Sequence, residues 1–281
     1  MSGTPVSAVL YDTLVSVLRE RRVKVAVFLT FQFEPEFFEQ HVLPVLFKQD
    51  FSLVDQIRLV QLEERLRSVE HLAVYYDRRG LGAESARLDY RRIGLQRHTG
   101  YFHPKNIMLL LENQEGYRSW ESLLLLTTSA NLTKAGWWTN VEVAHVTEVH
   151  AGEKCTFRSD LLAMLSRLKQ EDTIPGDDHP ALDEIHKFLR YQVDDSGVSR
   201  KQGRWLPQLY YGQEELPDFL SRFIDVYTYN MEVISPFFDR TETSQTLSDL
   251  IECLQPKATR IFLPIANDGS AECLQGYFDL V

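Results

Sequence analysis

Between Tyr101 and His150 the chain sets out an imidazole, an ammonium, a hydroxyl, an amide and a carboxylate. They are His103, Lys105, Ser129, Asn131 and Glu142. His103 and Lys105 open the apolar run YFHPKNIMLLL, Ser129 and Asn131 close SLLLLTTSAN, and Glu142 follows on a third run, NVEVAHVTEV. Side chains alternate along a strand, so His103 and Lys105, two apart, share a face. Buried strands rich in Leu, Ile and Met rarely carry such groups on one face without a partner. The pattern therefore predicts a site. A neutral imidazole is a nucleophile, while an ammonium and an amide donate to oxygens that gain charge in a transition state. A carboxylate can hold an imidazole in one tautomer.

H-x-K, then S-x-N behind a hydrophobic strand, then an acidic residue, resembles the phospholipase D superfamily of phosphodiesterases. In the usual form of that motif an Asp would stand at Leu110, where this chain is apolar. HPKNIMLLL followed by TTSANL is more similar to the H-x-K…N variant of the tyrosyl-DNA phosphodiesterase branch and its relatives among bacterial nuclease-like proteins. The spacing from Asn131 to Glu142, with Gly136 and Trp137 between, also fits the superfamily. The close match covers roughly residues 100–145.

The resemblance implies an α/β fold, an α-β-α sandwich with a mixed sheet. It implies two such units, each giving one H-x-K motif to a shared active site. His103 would be the nucleophile that forms a phosphohistidine, and Lys105 and Asn131 would donate to the non-bridging oxygens, with Ser129 assisting. Glu142 would accept from the other nitrogen of His103. The general acid would be a second His, and no metal or other cofactor is called for, since Lys and Asn hold the charge.

The elements expected to position these residues follow from periodicity. Residues 6–20 have helical apolar spacing, and Val23–Thr30 reads as a buried strand. Phe31–Phe47 reads as a helix interrupted by Pro44, and 53–68 as a helix charged on its outer face. Strands are expected at His71–Tyr76 and Leu88–Leu95. Residues 153–170 form an amphipathic helix with Phe157, Leu161, Leu162, Leu165 and Leu168 as its stripe. The Pro, Gly and acidic content of 171–180 marks a linker. A helix over 181–191, a polar stretch at 194–203, and strand–helix–strand at 229–238, 244–254 and 259–264 complete the pattern. Alternating strands and helices argue for an α/β layer fold.

Several residues near the motif have two readings. Arg78, Arg79, Arg87, Arg91, Arg92 and Arg97 lie just ahead of His103. Guanidinium groups suit bidentate phosphate contacts, with Arg91 and Arg92 the chosen substrate ligands. The competing reading is a solvated loop whose arginines pair with acids. Trp137, with Trp138 beside it, offers stacking surface for a base, or belongs to the core. Asn131 could cap the turn that follows it, with Thr133 a rival. Pro104 suits a strand edge or bulge. His145 and His150 lack partners at metal-ligand spacing.

Of the 281 residues, 44% are hydrophobic and 11% aromatic, which supports real cores and excludes a disordered chain. The net charge of -10 excludes a generic polyanion binder, so any nucleic-acid contact, DNA above all, needs a local patch. No apolar run reaches membrane-spanning length, and the N-terminus lacks signal-peptide regions, which predicts a cytoplasmic protein with no membrane partner. Cys155, Cys253 and Cys273 are far apart and read as reduced thiols without a zinc site.

The expected organisation is a first unit over 1–152, a helical connection over 153–225 and the beginning of a second unit over 226–281. No His follows His186, and the chain ends GYFDLV in mid-pattern. A second half-site would then come from a longer chain or a homodimer partner. Three functions fit: a metal-independent phosphodiesterase on nucleic acid (a nuclease or end-processing enzyme), a lipid phosphodiesterase, or a catalytically incomplete module that holds nucleic acid or a partner. A lipid enzyme calls for an amphipathic membrane-facing segment, which is not evident.

Overall fold

The computed structural model describes residues 10–19, 21–47, 51–52, 54–83, 85–171, 178–195, 207–224, 227–235, 244–263, 265 and 268–271. Most of the linkers expected at 171–180 and 194–203, and all of the tail at 276–281, lie outside the described residues. The chain divides into two compact units, one up to Leu209 and one from Tyr210.

The first unit is built on a six-stranded sheet in the order β3-β2-β1-β4-β5-β6. Its strands are β1 (Arg22–Thr30), β2 (His71–Asp77), β3 (Arg91–Leu95), β4 (Asn106–Glu115), β5 (Arg118–Thr128) and β6 (Ala144–His150). β1, β2 and β3 run parallel, and β4, β5 and β6 join antiparallel. The central runs are continuously apolar because both faces are covered, as sheets between two helical layers require. On one face Ala26, Phe28, Val74, Leu109 and Leu124 meet Leu14 and Leu18 of α1 (Leu10–Leu18), Leu46 of α3 (Leu43–Phe47) and Leu62 of α4 (Asp55–Leu66). On the other, Val27, Tyr75, Met108 and Leu125 meet Leu161 and Leu165 of α5 (Arg158–Glu171) and Ile185 and Phe188 of α6 (Pro180–Tyr191). The result is the α-β-α sandwich with a mixed sheet.

That second core moves a boundary. The helices expected in a connection beginning at 153 are the cover of the first sheet, so the first unit does not end at residue 152. A short parallel pair, β7 (Lys154–Cys155) with β8 (Asp194–Asp195), lies at the two ends of this helical pair.

The helix expected at 31–47 starts later. Glu34 is extended (φ -104°, ψ 101°), as a residue before proline must be. Helix α2 begins at Pro35 and spans Pro35–Phe37. A π-helical turn at Phe38–Val42 then widens the ladder, with the Leu43 N–H donating to Phe38 O. Pro44 cannot donate to Gln40 O, and the Arg58 guanidinium donates to that carbonyl instead. The helix absorbs its proline without breaking.

In the second unit β9 (Asn230–Ile234) and β10 (Ala258–Phe262) pair in parallel. Met231, Val233 and Ile261 meet Leu247, Leu250 and Leu254 of α8 (Gln245–Leu254). Ser244 caps α8 by accepting from the Leu247 N–H. A short helix, α7 (Leu216–Ser221), precedes this strand–helix–strand unit. Residues 236–238 and 264 of the expected strands lie outside the described residues.

Candidate functional site

Register fixes where the site residues arrive. Thr30 pairs with Tyr76, Asp77 with Leu95, Leu29 with Asn106, Asn106 with Thr127, and Thr128 with Ala144. One rim of the sheet therefore collects the carboxyl ends of β1, β2, β3 and β5 and the amino ends of β4 and β6. His103 and Lys105 stand just before β4, Ser129 and Asn131 just after β5, and Glu142 just before β6. None of them lies on a strand, contrary to the expectation from their apolar neighbours, but the strands deliver all five to the same rim. Pro104 likewise precedes the paired residues and costs the ladder no donor.

His103 and Lys105 do face one another. The Lys105 ammonium is 3.0 Å from Nδ1 and 3.2 Å from Nε2 of His103. An ammonium only donates, so this contact fits a neutral ring offering a lone pair. Burial pushes the Lys105 ammonium down to about 8, against the pull of Glu142. His103 lies below its ordinary value of 6.5, through burial and then the Lys105 charge, with Asp77 opposing. Near neutral pH the pair is thus a neutral imidazole beside a cation.

Glu142 does not reach this imidazole. Its carboxylate accepts from Ser129 Oγ and, at 3.2 Å, from Asn140 Nδ2. Ser129 Oγ also accepts from the Val143 N–H at 2.9 Å. The role expected for Glu142 in orienting His103 is corrected: this carboxylate fixes Ser129 and adds its field at Lys105. Among the described residues, the hydrogen-bond partner of the His103 ring is Lys105.

Asn131 meets the end of β1. Its Oδ1 accepts from the Gln32 N–H at 3.1 Å, and its Nδ2 donates to Gln32 Oε1 at 3.2 Å. Phe31, next along, puts its ring 5.0 Å from that of His103, so residues 31–32 bridge the histidine and the asparagine. Two glycines allow the approach. A Cβ on Gly80 would stand 2.2 Å from Phe31 O, and one on Gly136 would stand 2.7 Å from Asn131 O. The cap of the turn after Asn131 goes to Thr133, whose Oγ1 accepts from the Gly136 N–H at 3.1 Å.

The expected substrate ligands fare differently. Arg91 and Arg92 begin β3, opposite Ala73 and Val74, four and three residues back from the rim at Asp77 and three strands away from β4. At strand spacings of about 4.8 Å and rises of about 3.3 Å they lie far from His103. Arg92 instead covers the Tyr90 ring at 5.5 Å. Trp137 is 3% exposed and packs edge-on to Phe37 in the core. Neither the arginine pair nor this tryptophan belongs to the site.

The rim also holds Asp77 and Tyr101, which the sequence did not single out, together with Arg79 of the arginine cluster. Asp77 is 0% exposed and takes both the Arg79 guanidinium and the Phe102 N–H. The Arg79 hydrogen bonds hold its carboxyl down at about 2. Arg79 lies 4.1 Å over the Tyr101 ring, and Tyr101, 56% exposed, meets Phe31 edge-on. The available signal was a lone carboxylate ending an apolar strand, which is rare unless it is paired. Among the described residues no three His, Cys, Asp or Glu side chains cluster as metal ligands would, and no helix is long and apolar enough to cross a membrane.

No family model matches the chain, and no curated protein matches it. Among solved structures it is similar to a mutant of yeast tyrosyl-DNA phosphodiesterase, with 14% identity and a TM-score of 0.39. The match covers 64% of this chain and 36% of the yeast protein, so the chain spans about a third of that protein's length. This is a distant likeness.

Proposed function

We propose that this rim is a phospholipase D-like half-site that cleaves phosphodiesters of nucleic acid through a phosphohistidine on His103. The observation that carries the reading is the Lys105 ammonium held in hydrogen-bond contact with a neutral His103 ring. A lone pair on the ring attacks phosphorus, and the bond to the leaving oxygen breaks. The leaving oxygen takes a proton from an acid of a second half-site, supplied by a longer chain or a second copy. Water then attacks phosphorus and gives that acid its proton back. The N–P bond breaks and returns the electron pair to the ring. Lys105 turns from the ring to the non-bridging oxygens, and Asn131 donates beside it. No step asks for a metal ion.

Nucleic acid is favoured over lipid by the exposed Tyr101, an aromatic face that meets Phe31, whose ring in turn lies against His103. A second reading also has an observation behind it. No carboxylate among the described residues orients the His103 ring, as expected of a module that holds a phosphate without cleaving it. Release of nitrophenolate from a p-nitrophenyl phosphodiester with EDTA present separates the two, since that leaving group needs no acid from a second half-site. The phosphodiesterase releases it, if only for one turnover, and loses at least about 100-fold of that rate on His103→Ala. Phosphate binding without nitrophenolate release supports the module.

A further inference from the structure

The amide of Asn131 can be oriented without ambiguity. The Gln32 backbone N–H can only donate, so the atom 3.1 Å from it must be Oδ1. Nδ2 then faces the Gln32 side chain, which must present its own oxygen, at 3.2 Å. One residue thus grips both ends of one amide. This uses one of the two Nδ2 hydrogens and leaves the other to a ligand. It also turns Gln32 Nε2 away from Asn131, where no acceptor among the described residues meets it.

Gln32 is itself held on both sides. The Thr30 hydroxyl donates to Gln32 O at 2.7 Å and accepts from the Leu132 N–H at 3.1 Å, tying the end of β1 to the segment that carries Asn131. Gly80 lets the 78–80 turn close on Phe31, and the Phe33 N–H donates to Gly80 O at 2.9 Å. Two hydrogen bonds thus hold a half-buried asparagine to an exposed glutamine. A fixed amide donor is what a developing phosphoryl charge requires.

We propose that Gln32 is the positioning residue of the site: it sets the Asn131 amide so that its free N–H points at the bound phosphoryl oxygen. The proposal rests on the phosphoryl-binding reading of Asn131. Gln32 is exposed, so its substitution spares the core.

The test uses Gln32→Leu, Asn131→Ala and the double variant, with hydrolysis of an aryl phosphodiester as one readout. Gln32→Leu lowers kcat about 10-fold with little change in KM, the effect of one misaligned transition-state donor. In the Asn131→Ala background the same change costs less than about twofold, because the group it positions is gone. An unchanged kcat, or an equal loss without Asn131, overturns the proposal.

The second readout needs no turnover. Titration with inorganic phosphate moves the side-chain amide NMR signal of Asn131 in the unsubstituted protein, and moves it much less in Gln32→Leu. An Asn131 signal that ignores phosphate, or responds equally in both, overturns the proposal. If that signal behaves as stated while the protein releases no nitrophenolate from the ester, the phosphodiesterase reading fails and the positioning role stands.

Discussion

Lys105 sets the alkaline limit of the proposed chemistry and His103 the acid limit. Burial brings the Lys105 ammonium down to about 8, so the cation that must face the phosphoryl oxygens is lost as pH rises through that value. His103 sits below 6.5, so the free ring needed for attack persists until the pH falls below that figure. The rate of aryl phosphodiester hydrolysis is therefore bell-shaped, with its alkaline limb near pH 8. Lys105→Arg keeps a charge that does not titrate in this range, and the alkaline limb disappears even where the guanidinium lowers the rate. A limb that stays in place in Lys105→Arg assigns it to another group. The spacing of two pointed to this histidine–lysine pairing, but neither residue lies on a strand, so it is the segment leading into β4 and not strand alternation that brings them together. The partner of Glu142 was not legible, since the loop from Asn140 to Val143 decides it and carries no periodicity.

At the scale of elements, the site depends on strands ending together and on two glycines that let their loops touch. Gly80→Ala would push a Cβ to 2.2 Å from Phe31 O, a backbone atom that cannot yield without moving residues 31–33. This change costs about 1–3 kcal/mol of stability, measured by urea denaturation. It also lowers hydrolysis, because Phe31 and Gln32 shift against His103 and Asn131. Wild-type stability and rate in Gly80→Ala would show that the rim tolerates a loosened β1 end. The strands themselves were legible, as continuous runs such as Val25–Leu29 and Ile107–Leu111 admit little else. The helix expected from Phe31 has its apolar side at Phe37, Phe38, Val42 and Val45, all beyond Pro35, and Pro35 forbids helix at Glu34. Arg91 and Arg92 were misplaced for a different reason. Nearness to His103 in sequence says nothing when β3 lies three strands from β4.

At the scale of the molecule, the first unit extends past residue 152 because its sheet needs cover on both faces. A chain ended at residue 152 leaves Val27, Tyr75, Met108 and Leu125 without α5 and α6. Such a chain exposes a broad apolar face and aggregates, whereas one ended at Leu209 keeps cooperative unfolding by circular dichroism. Equal cooperativity in both chains would return the boundary to the place that composition suggested. That boundary was hidden in the sequence because the amphipathic stripe of α5 announces burial without naming the surface that receives it.

The claim on which the account turns is that His103 takes the phosphoryl group. A p-nitrophenyl nucleotide ester isolates that step, because nitrophenolate is a weak base and leaves without the acid of a second half-site. Water's attack on the intermediate has no such relief, so the covalent form accumulates where that acid is missing. The measurement is a rapid-mixing burst with an alkaline quench and mass spectrometry of the peptide containing His103. The account predicts nitrophenolate release with a nucleotidyl adduct on His103, both absent in His103→Ala. No release, an adduct on another residue, or release that survives His103→Ala would contradict it.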